Sequence, residues 1–230
     1  MRFAVFGTGT VGRTVAAKLV SLGHDVRVGT RDPAATLART EPAGTGAPVA
    51  PYAVWQAQHP RVGLATFAEA ARSAEVLVNA TGGRVSVDVL SSVGAEHLDG
   101  KVLIDLANPL DFSGGWPPVL DPGNNDSLGE LLQRTFPGAR VVKTLNTMNC
   151  AVMVDPARVA GDHDVFLSGD DEEAKASVRE LLRSFGWPEA NILDLGGIQT
   201  ARGVEMLLPI WLSLTGRLGH ADFNFHVQGA

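Results

Sequence analysis

The amino-acid sequence predicts an α/β fold, a doubly wound parallel sheet with a small, mainly helical C-terminal lobe. Short apolar runs recur along the chain, and amphipathic helical patterns separate them. Runs of this kind are typical of parallel strands that are buried on both faces. The chain also opens, over residues 3–14, with an apolar strand, a glycine-rich turn and the first turn of a helix. We therefore place the start of a βαβ unit at the N-terminus.

Length and composition narrow the class of protein. The chain has 230 residues, 45% of them hydrophobic, and a formal net charge of -6. This is enough for one large α/β domain, and the acidic balance argues against nucleic acid and anionic membranes as partners. A single cysteine, Cys150, allows no internal disulfide and favours a reducing compartment. Because the first strand leaves no room for a signal peptide and no apolar run is long enough to span a bilayer, we expect a cytoplasmic protein with no membrane contact.

The glycine-rich turn has the G-x-G-x-x-G spacing of a dinucleotide-binding loop, with glycines at Gly7, Gly9 and Gly12. Gly7 allows the tight turn, Gly9 lets the backbone approach a pyrophosphate, and Gly12 lets the helix pack close to the strand. The helix N-terminus presents free N–H groups to the phosphates. The sequence therefore predicts dinucleotide binding, and the alternative is a purely structural turn.

The same turn differs by one residue from a phosphate-binding P-loop, because residues 7–14 also spell G-x-x-x-x-G-Arg-Thr. A P-loop needs a lysine that reaches the β- and γ-phosphates, and Arg13 stands at that position. We therefore do not expect a nucleotide triphosphatase.

The end of the second predicted strand, residues 26–28, indicates which dinucleotide binds. NAD-binding proteins place an acidic residue about 20 residues past the glycines to hold the ribose 2′-hydroxyl. Here Gly29 carries no carboxylate, whereas Thr30 offers a hydroxyl and Arg31 offers a guanidinium suited to a phosphate. Asp32 is better explained as the N-cap of the next helix. This pattern favours NADP, and the alternative is that Arg31 is a solvated loop residue.

After the second strand, the sequence predicts secondary structure for only part of the chain. Residues 34–60 are expected to hold a short helix, a Pro/Gly/Ala-rich region near residues 42–51 and a helical turn at residues 52–59. Residues 62–66 predict a short strand. The pattern at residues 66–69 is a capping box, which opens a further helix.

Polar or small residues follow the fourth and fifth predicted strands, at the edge of a doubly wound sheet where ligands bind. The fourth strand ends in Ala80, Thr81 and Gly82, which we expect beside the cofactor. The alternative for these residues is a plain glycine turn. The fifth strand is followed by Asn108 and Pro109, so it again delivers a small polar side chain to this edge.

The sixth predicted strand, residues 140–146, ends in Asn146 and Thr147, whose side chains can hydrogen-bond a nicotinamide carboxamide or a substrate ring. The alternative is that they cap a helix. Cys150 is better explained as a small buried hydrophobe than as a nucleophile, since no histidine is nearby in the sequence. The loop of residues 110–125 has no periodicity and is interpreted as a mobile lid, in which Trp116 closes over a bound ring or anchors its own loop.

The C-terminal part begins with a strand at residues 164–169 and an acidic run at residues 170–173, which we interpret as a helix cap rather than a metal site. A short strand follows at residues 192–195. The last helix, residues 204–214, is apolar nearly all round and must be buried on several sides. It is buried either in a homodimer interface that also walls the active site or within the monomer. We find no metal-ligand spacing and no catalytic nucleophile, and predict neither.

Together these motifs resemble the family of coenzyme F420-dependent NADP oxidoreductases over nearly the whole chain. The resemblance rests on the glycine loop, on residues 29–31 and on the motifs at residues 105–109, 142–147, 168–171 and 223–225. The cytoplasmic reductase domain of the membrane metalloreductases is similar too.

The resemblance implies a Rossmann domain at residues 1–147 that binds NADP(H), and a C-terminal lobe at residues 148–230 for the substrate pocket and dimerisation. It also implies a homodimer, and a second redox ring, coenzyme F420 or a flavin, beside the nicotinamide. By position, the resemblance assigns three groups of residues to NADP(H). The residues assigned to the pyrophosphate are Thr8, Gly9, Thr10, Val11 and Gly12. The 2′-phosphate is assigned to Thr30 and Arg31. Nearer the nicotinamide lie Asn108, Asn146 and Thr147.

We therefore expect NADPH-linked hydride exchange with a deazaflavin or flavin-like small molecule. Such transfer depends on distance and alignment more than on a protein acid or base. Two alternatives stay open. An imine or keto-acid reductase on the same scaffold needs a proton donor near the nicotinamide, and a redox sensor binds NADPH without turnover and passes the signal to a partner.

Overall fold

The computed structural model describes residues 1–41 and 49–229, so most of the predicted Pro/Gly/Ala-rich region lies outside the described residues. Eight strands form the main sheet, and two shorter strands form a separate hairpin. In chain order the strands are β1 (Arg2–Phe6), β2 (Asp25–Thr30), β3 (Val62–Thr66), β4 (Val76–Asn79), β5 (Val102–Asp105), β6 (Leu110–Asp111), β7 (Val119–Leu120), β8 (Arg140–Thr144), β9 (Val165–Ser168) and β10 (Ile192–Asp194).

The main sheet has the strand order β10-β9-β8-β5-β4-β1-β2-β3. From β1 the chain moves outward to β2 and β3, and then returns to place β4 on the other side of β1. The boundary between β1 and β4 is therefore the topological switch point, where ligands bind beyond the carboxyl ends of the strands. This order confirms the predicted doubly wound α/β fold.

One edge departs from the predicted parallel sheet. β8 and β9 run antiparallel, with Lys143 opposite Ser168 and Thr144 opposite Leu167, while β10 is parallel to β9. The chain leaves β8 at its carboxyl end and enters β9 from that same end, so no crossover is made. β9 and β10, which follow residue 147, belong to the same sheet as the strands before it. The division of the chain into two domains, residues 1–147 and 148–230, remains a prediction.

Helices cover both faces of the sheet. The side chains of β1 alternate between the two resulting hydrophobic clusters, with Phe3 and Val5 in one and Ala4 and Phe6 in the other. Burial on both faces explains why the strands are continuous apolar runs in the sequence. The helices are α1 (Thr10–Ser21), α2 (Pro33–Ala38), α3 (Tyr52–Gln58), α4 (Phe67–Ser73), α5 (Ser86–Val93), α6 (Leu128–Thr135), α7 (Cys150–Val154), α8 (Glu172–Phe185), α9 (Ala201–Met206) and α10 (Leu208–Leu218).

Side-chain caps begin several helices at the predicted residues. Asp32 accepts a hydrogen bond from a backbone N–H of α2 at 2.9 Å. Thr66 and Glu69 form the complete capping box of α4. Asp171 accepts from a backbone N–H of α8 at 2.7 Å, so the acidic run is a helix start, as predicted.

The loop of residues 110–125 is more regular than the sequence predicts. Its two short strands, β6 and β7, pair as an antiparallel hairpin, and Arg84 forms an ion pair with Asp111 at the start of it. Trp116 is 70% exposed, and its ring stacks on that of Phe112 with centroids 6.5 Å apart. This contact matches the alternative in which Trp116 anchors its own loop, and movement of the loop as a lid remains a prediction.

The predicted last helix is two helices, and its burial is not as expected. The chain breaks at Leu207 between α9 and α10, because Pro209 in the first turn of α10 lacks the N–H that would continue α9. Leu208 is buried, but Ile210 is 48% exposed and Leu218 is 49% exposed. Burial of this helix wholly within the chain is therefore wrong. Within the two described ranges, no helix combines the length and apolarity needed to cross a membrane.

Candidate functional site

A cleft of about 360 Å³ lies beyond the carboxyl ends of β1, β4, β5 and β8, next to the start of α1. It brings together six of the residues singled out in the sequence. These are Thr10, Val11, Ala80, Thr81, Asn108 and Asn146. Thr30 and Arg31, at the end of β2, do not line this cleft, which is the arrangement expected if they contact the far end of an extended dinucleotide.

The glycine loop has three glycines with different physical requirements. Gly7 has a φ of +120°, and a Cβ there would lie 2.5 Å from the backbone oxygen of Ala80. A Cβ at Gly12 would lie 2.1 Å from the oxygen of Gly7, so the loop and α1 pack too closely for any side chain. A Cβ at Gly9 would meet nothing within 4 Å. Packing therefore explains Gly7 and Gly12, and the open side of the loop is at Gly9.

The N-terminus of α1 begins directly at this open side. Gly9 is its N-cap residue, and neither a side-chain cap nor an acidic residue occupies the first turn. The first N–H groups of a helix need an acceptor and carry a partial positive charge. A pyrophosphate supplies that acceptor, so the loop fits the group that its sequence predicts.

The structure gives Arg13 a role that its position in the near P-loop motif does not suggest. Arg13 is only 5% exposed. Its Nε donates to the backbone oxygen of Thr8 at 2.7 Å, and its Nη1 donates to the backbone oxygen of Ala50. The guanidinium carbon lies 5.3 Å from the centre of the Tyr52 ring. Arg13 therefore ties the glycine loop to the start of α3 and to the residue two positions before it.

Position 29, at the end of β2, has no room for a side chain. A Cβ at Gly29 would lie 2.9 Å from the Phe6 ring and 3.1 Å from the Phe67 ring. The Thr30 hydroxyl shares a hydrogen bond with the Thr36 hydroxyl at 2.8 Å, and Arg31 beside it is exposed. The glycine that the sequence analysis used as evidence against NAD is thus required by packing of two aromatic rings.

Asn108 and Asn146 come from the ends of different strands and bind each other. Asn108 Nδ2 donates to the backbone oxygen of Asn146 at 2.8 Å, and Asn146 Nδ2 donates to Asn108 Oδ1 at 3.0 Å. Asn146 Nδ2 also lies 3.2 Å from the backbone oxygen of Val204 on α9. The pair forms part of the cleft wall, and both side-chain amides donate hydrogen bonds to groups of the chain itself.

The turn after β8 is strained. Leu145 has a φ of +61°, a left-handed conformation that a leucine rarely adopts. Asn149, rather than Asn146 or Thr147, caps α7, by accepting from Ala151 N at 2.8 Å. Thr147 is 2% exposed, and its hydroxyl finds no hydrogen-bond partner within the described part of the chain. Strained backbone and unpaired polar groups of this kind collect at functional sites.

A buried charge cluster lies directly behind the cleft, and the sequence analysis missed it. Lys143, fully buried, places Nζ 2.9 Å from Asp105 Oδ2 and 2.8 Å from Glu205 Oε1. Its third hydrogen bond goes to the backbone oxygen of Ala107, a residue that lines the cleft. Although burial opposes the charged amine, the two carboxylates raise the pKa of Lys143 above its ordinary value. A lysine inside an apolar strand was the available signal, since a buried charge requires a partner.

Each carboxylate of the cluster has further donors. Glu205 accepts from the backbone N–H groups of Leu128, at 2.9 Å, and Gly129, at 3.1 Å, at the start of α6. Asp105 Oδ1 accepts from Asn79 Nδ2 at 2.8 Å, and the Asn79 side chain also holds the Thr81 hydroxyl at 2.7 Å. The cluster therefore connects the turn after β4 with α6 and α9.

The other side of the cleft is an apolar wall that the sequence analysis also did not find. Trp211 on α10 contributes the largest ring, which stacks on Phe223 with centroids 5.6 Å apart and planes at 24°. Trp211 Nε1 is buried and has no hydrogen-bond partner among the residues that the structure describes. The further apolar side chains of the wall are Leu110, Met148, Met153, Leu208 and Leu212.

Cys150 lines the cleft as well. It is half-buried, and its Sγ accepts a contact of 3.6 Å from the Thr14 hydroxyl. No ionisable side chain contacts the thiol within the described ranges, which leaves it the small hydrophobe that the sequence predicts.

A family profile and two relatives point to the same family. The sequence profile of the family described as NADP oxidoreductase, coenzyme F420-dependent, matches residues 2–109. The crystal structure of a candidate F420-dependent NADP reductase from Arthrobacter sp. FB24 is 58% identical and superposes with a TM-score of 0.94, with all of both chains covered. The F420-dependent NADP reductase of Methanothermobacter marburgensis is 28% identical over 93% of this chain and 92% of that protein.

The rat metalloreductase STEAP3 is a third relative, 30% identical over 91% of this chain. The chain spans only 38% of the length of that protein. The similarity to STEAP3 is thus to one part of a longer molecule.

Proposed function

We propose a function from one premise: the chain belongs to the coenzyme F420-dependent NADP oxidoreductase family. It is accordingly an NADP-dependent oxidoreductase. The reaction that we propose is hydride transfer between the nicotinamide of NADP(H) and a deazaflavin or flavin-like acceptor. The observation that carries this proposal is a cleft with a dinucleotide loop on one side and an apolar, aromatic wall on the other.

In this proposal, three groups of residues bind different parts of NADP(H). The uncapped start of α1 and the open side of Gly9 accept the pyrophosphate. Thr30 and Arg31 hold the 2′-phosphate, for which a guanidinium is well suited. The residues nearer the nicotinamide are Ala80, Thr81, Gly82, Asn108, Pro109, Asn146 and Thr147.

The acceptor in this proposal lies against the apolar wall. A cleft of about 360 Å³ is at the lower end of the volumes of ligand sites, so it suits planar rings rather than a whole dinucleotide. Trp211 belongs to this wall and stacks on Phe223. A planar ring can pack against such an apolar, aromatic surface.

The chain's contribution to the reaction is orientation and exclusion of water. When bound, NADPH supplies the hydride and its nicotinamide keeps the resulting positive charge. Lys143 uses its three donors within the protein, on Asp105, Glu205 and Ala107, and is therefore not a proton donor to a substrate. Asn108 and Asn146 brace the two strand ends at the cleft. This arrangement agrees with a transfer that requires alignment and no protein acid.

The test is an acceptor panel with the full chain. Consumption of NADPH is followed by loss of the reduced nicotinamide absorbance with coenzyme F420, FMN and riboflavin, and separately with keto acids and cyclic imines. We expect turnover with a deazaflavin or flavin. Turnover with carbonyl or imine substrates alone would instead support the imine or keto-acid reductase. NADPH binding with no turnover, together with a protein partner recovered in pull-downs, would support the redox sensor.

We also propose that a second copy of the chain covers α10 in solution, in a cytoplasmic homodimer. Met206, Ile210 and Leu218 are each more than 40% exposed in the single chain. Exposed apolar side chains grouped on adjoining helices are typical of an interface. Sedimentation equilibrium should give twice the chain mass of 24.2 kDa, and a monomer at all concentrations would contradict the homodimer.

A further inference from the structure

The charge state of the buried cluster follows from its hydrogen bonds. Within the described residues, every hydrogen-bond partner of the Asp105 and Glu205 carboxylates is a donor: Lys143 Nζ, backbone N–H groups and the Asn79 amide. An ionised carboxylate accepts hydrogen bonds and donates none, so these partners suit two ionised carboxylates. Two carboxylates and one ammonium therefore leave the cluster with a net charge of -1, partly offset by the N-terminus of α6 at Glu205.

The cluster sits one residue behind the cleft. Lys143 Nζ donates to the backbone oxygen of Ala107, and Asp105 accepts from Ala107 N at 3.1 Å. Ala107 and its neighbour Asn108 both line the cleft. Asp105 and Lys143 are each 0% exposed, so water and salt screen the field of the cluster much less than they screen that of a surface group.

The two states of a nicotinamide differ by one charge. The reduced ring is neutral, and the oxidised ring carries one positive charge. A buried negative charge next to the ring therefore stabilises the oxidised form more than the reduced form.

We infer that the Asp105–Lys143–Glu205 cluster sets the driving force of hydride transfer, by favouring the oxidised nicotinamide over the reduced one in the bound state. This inference rests on the proposed function, because it takes the nicotinamide to lie in the cleft. It assigns to Asp105 and Glu205 an electrostatic role at a distance, without contact to the reacting atoms. Bound NADPH is consequently a stronger hydride donor than NADPH in water.

The readout is a ratio of two dissociation constants rather than a rate. For the full chain, the Kd of NADP+ and the Kd of NADPH are measured separately at one pH and one salt concentration. Removing a buried unit charge about 10 Å from a unit charge, at an effective dielectric constant of about 20, changes such a ratio by on the order of tenfold. Allowing for the offset by α6, we expect Glu205→Gln to raise Kd(NADP+)/Kd(NADPH) about five- to tenfold.

Asp105→Asn removes one negative charge from the other side of the cluster and should raise the ratio in the same direction. The two side chains belong to different elements and have different backbone donors, so one variant suffices if the other does not fold. Thermal unfolding identifies the folded variants.

Glu130→Gln is the matched control. Glu130, in the first turn of α6, also ties α6 to α9, through Arg202 at 2.6 Å; the Glu130 side chain is 11% exposed and that of Arg202 is 44% exposed. Loosening of α6 from α9 occurs in this variant too, whereas the lost charge belongs to a pair that solvent reaches, so its ratio should change less than twofold.

An unchanged ratio in a folded Glu205→Gln or Asp105→Asn variant would overturn the inference, as would an equal change in Glu130→Gln. Failure of the proposed function looks different, because the unaltered chain would then reduce no deazaflavin or flavin, whatever the ratio of its two dissociation constants.

Discussion

Arg13 Nε donates a hydrogen bond to the backbone oxygen of Thr8 at 2.7 Å, and so ties the first turn of α1 to the loop that precedes it. The same guanidinium reaches Ala50 and lies over the Tyr52 ring. The loop that is expected to hold the pyrophosphate is therefore fixed from behind by a buried cation.

Arg13→Ala should weaken the loop, because it removes the hydrogen bonds to Thr8 and Ala50. Loss of hydrogen bonds from a charged donor costs about 1.5–3 kcal/mol of unfolding free energy, and NADPH binding should weaken with it. Urea unfolding and NADPH titration measure the two effects. Arg72→Ala, which removes an exposed arginine of α4, is the control and should change neither.

Gly9→Ala and Gly12→Ala should separate binding from folding. A Cβ at Gly9 meets no atom within 4 Å, so Gly9→Ala should unfold at nearly the original temperature yet bind NADPH at least tenfold more weakly. A Cβ at Gly12 lies 2.1 Å from the oxygen of Gly7, so Gly12→Ala should be strongly destabilised. Full NADPH affinity in Gly9→Ala would argue that the loop is only a structural turn.

Arg31→Ala tests the choice of dinucleotide. The unaltered chain should bind NADPH much more tightly than NADH, and the substitution should reduce that preference about 10- to 100-fold, the contribution of charge-assisted hydrogen bonds to a phosphate. Arg31→Lys, which keeps the charge but loses the planar fork, should fall between. Equal affinity of the unaltered chain for NADPH and NADH would contradict the assignment.

Trp211 tests the apolar wall. Trp211→Phe keeps a ring on Phe223 and should change the acceptor KM less than threefold. Trp211→Ala removes the ring and should raise the acceptor KM about tenfold while the NADPH KM stays constant. A parallel rise of both KM values would place Trp211 at the cofactor instead.

Lys143→Met should be the most destabilising of these substitutions. It leaves Asp105 and Glu205 buried without their shared cation, and breaking a buried pair in this way costs about 3–5 kcal/mol. Chemical unfolding measures the loss. A change below about 1 kcal/mol would show that the cluster contributes little to stability.

The pH dependence of that loss has a defined sign. The pKa of Lys143 is raised in the folded state from the ordinary 10.5, so the stabilisation from this shift is fully present below that pH. It disappears as the pH rises through the folded-state pKa. The stability difference between the unaltered chain and Lys143→Met should therefore be constant near neutral pH and shrink only in strong alkali.

The order and type of most elements could be predicted from local patterns. The strand at residues 62–66, the cap at Asp32 and the capping box at Thr66 are confirmed because each depends on a few neighbouring residues. The hairpin of β6 and β7 was missed because its strands are two residues long and have no periodicity. The break at Leu207 was missed although Pro209 was visible, since the strongly apolar run outweighed it.

The glycine loop, the second strand that ends without an acid, and the family could be predicted from the sequence, because short motifs specify backbone conformation and ligand chemistry directly. What lies on either side of the cleft depends on tertiary packing. Lys143 and Glu205 are 62 positions apart in the chain, and no periodicity predicts that one oxygen and one ammonium meet at 2.8 Å. Likewise Trp211 reaches the cleft only because α10 folds back over the strand ends. Contacts of this kind depend on the packing of whole elements, which a reading of local pattern does not contain.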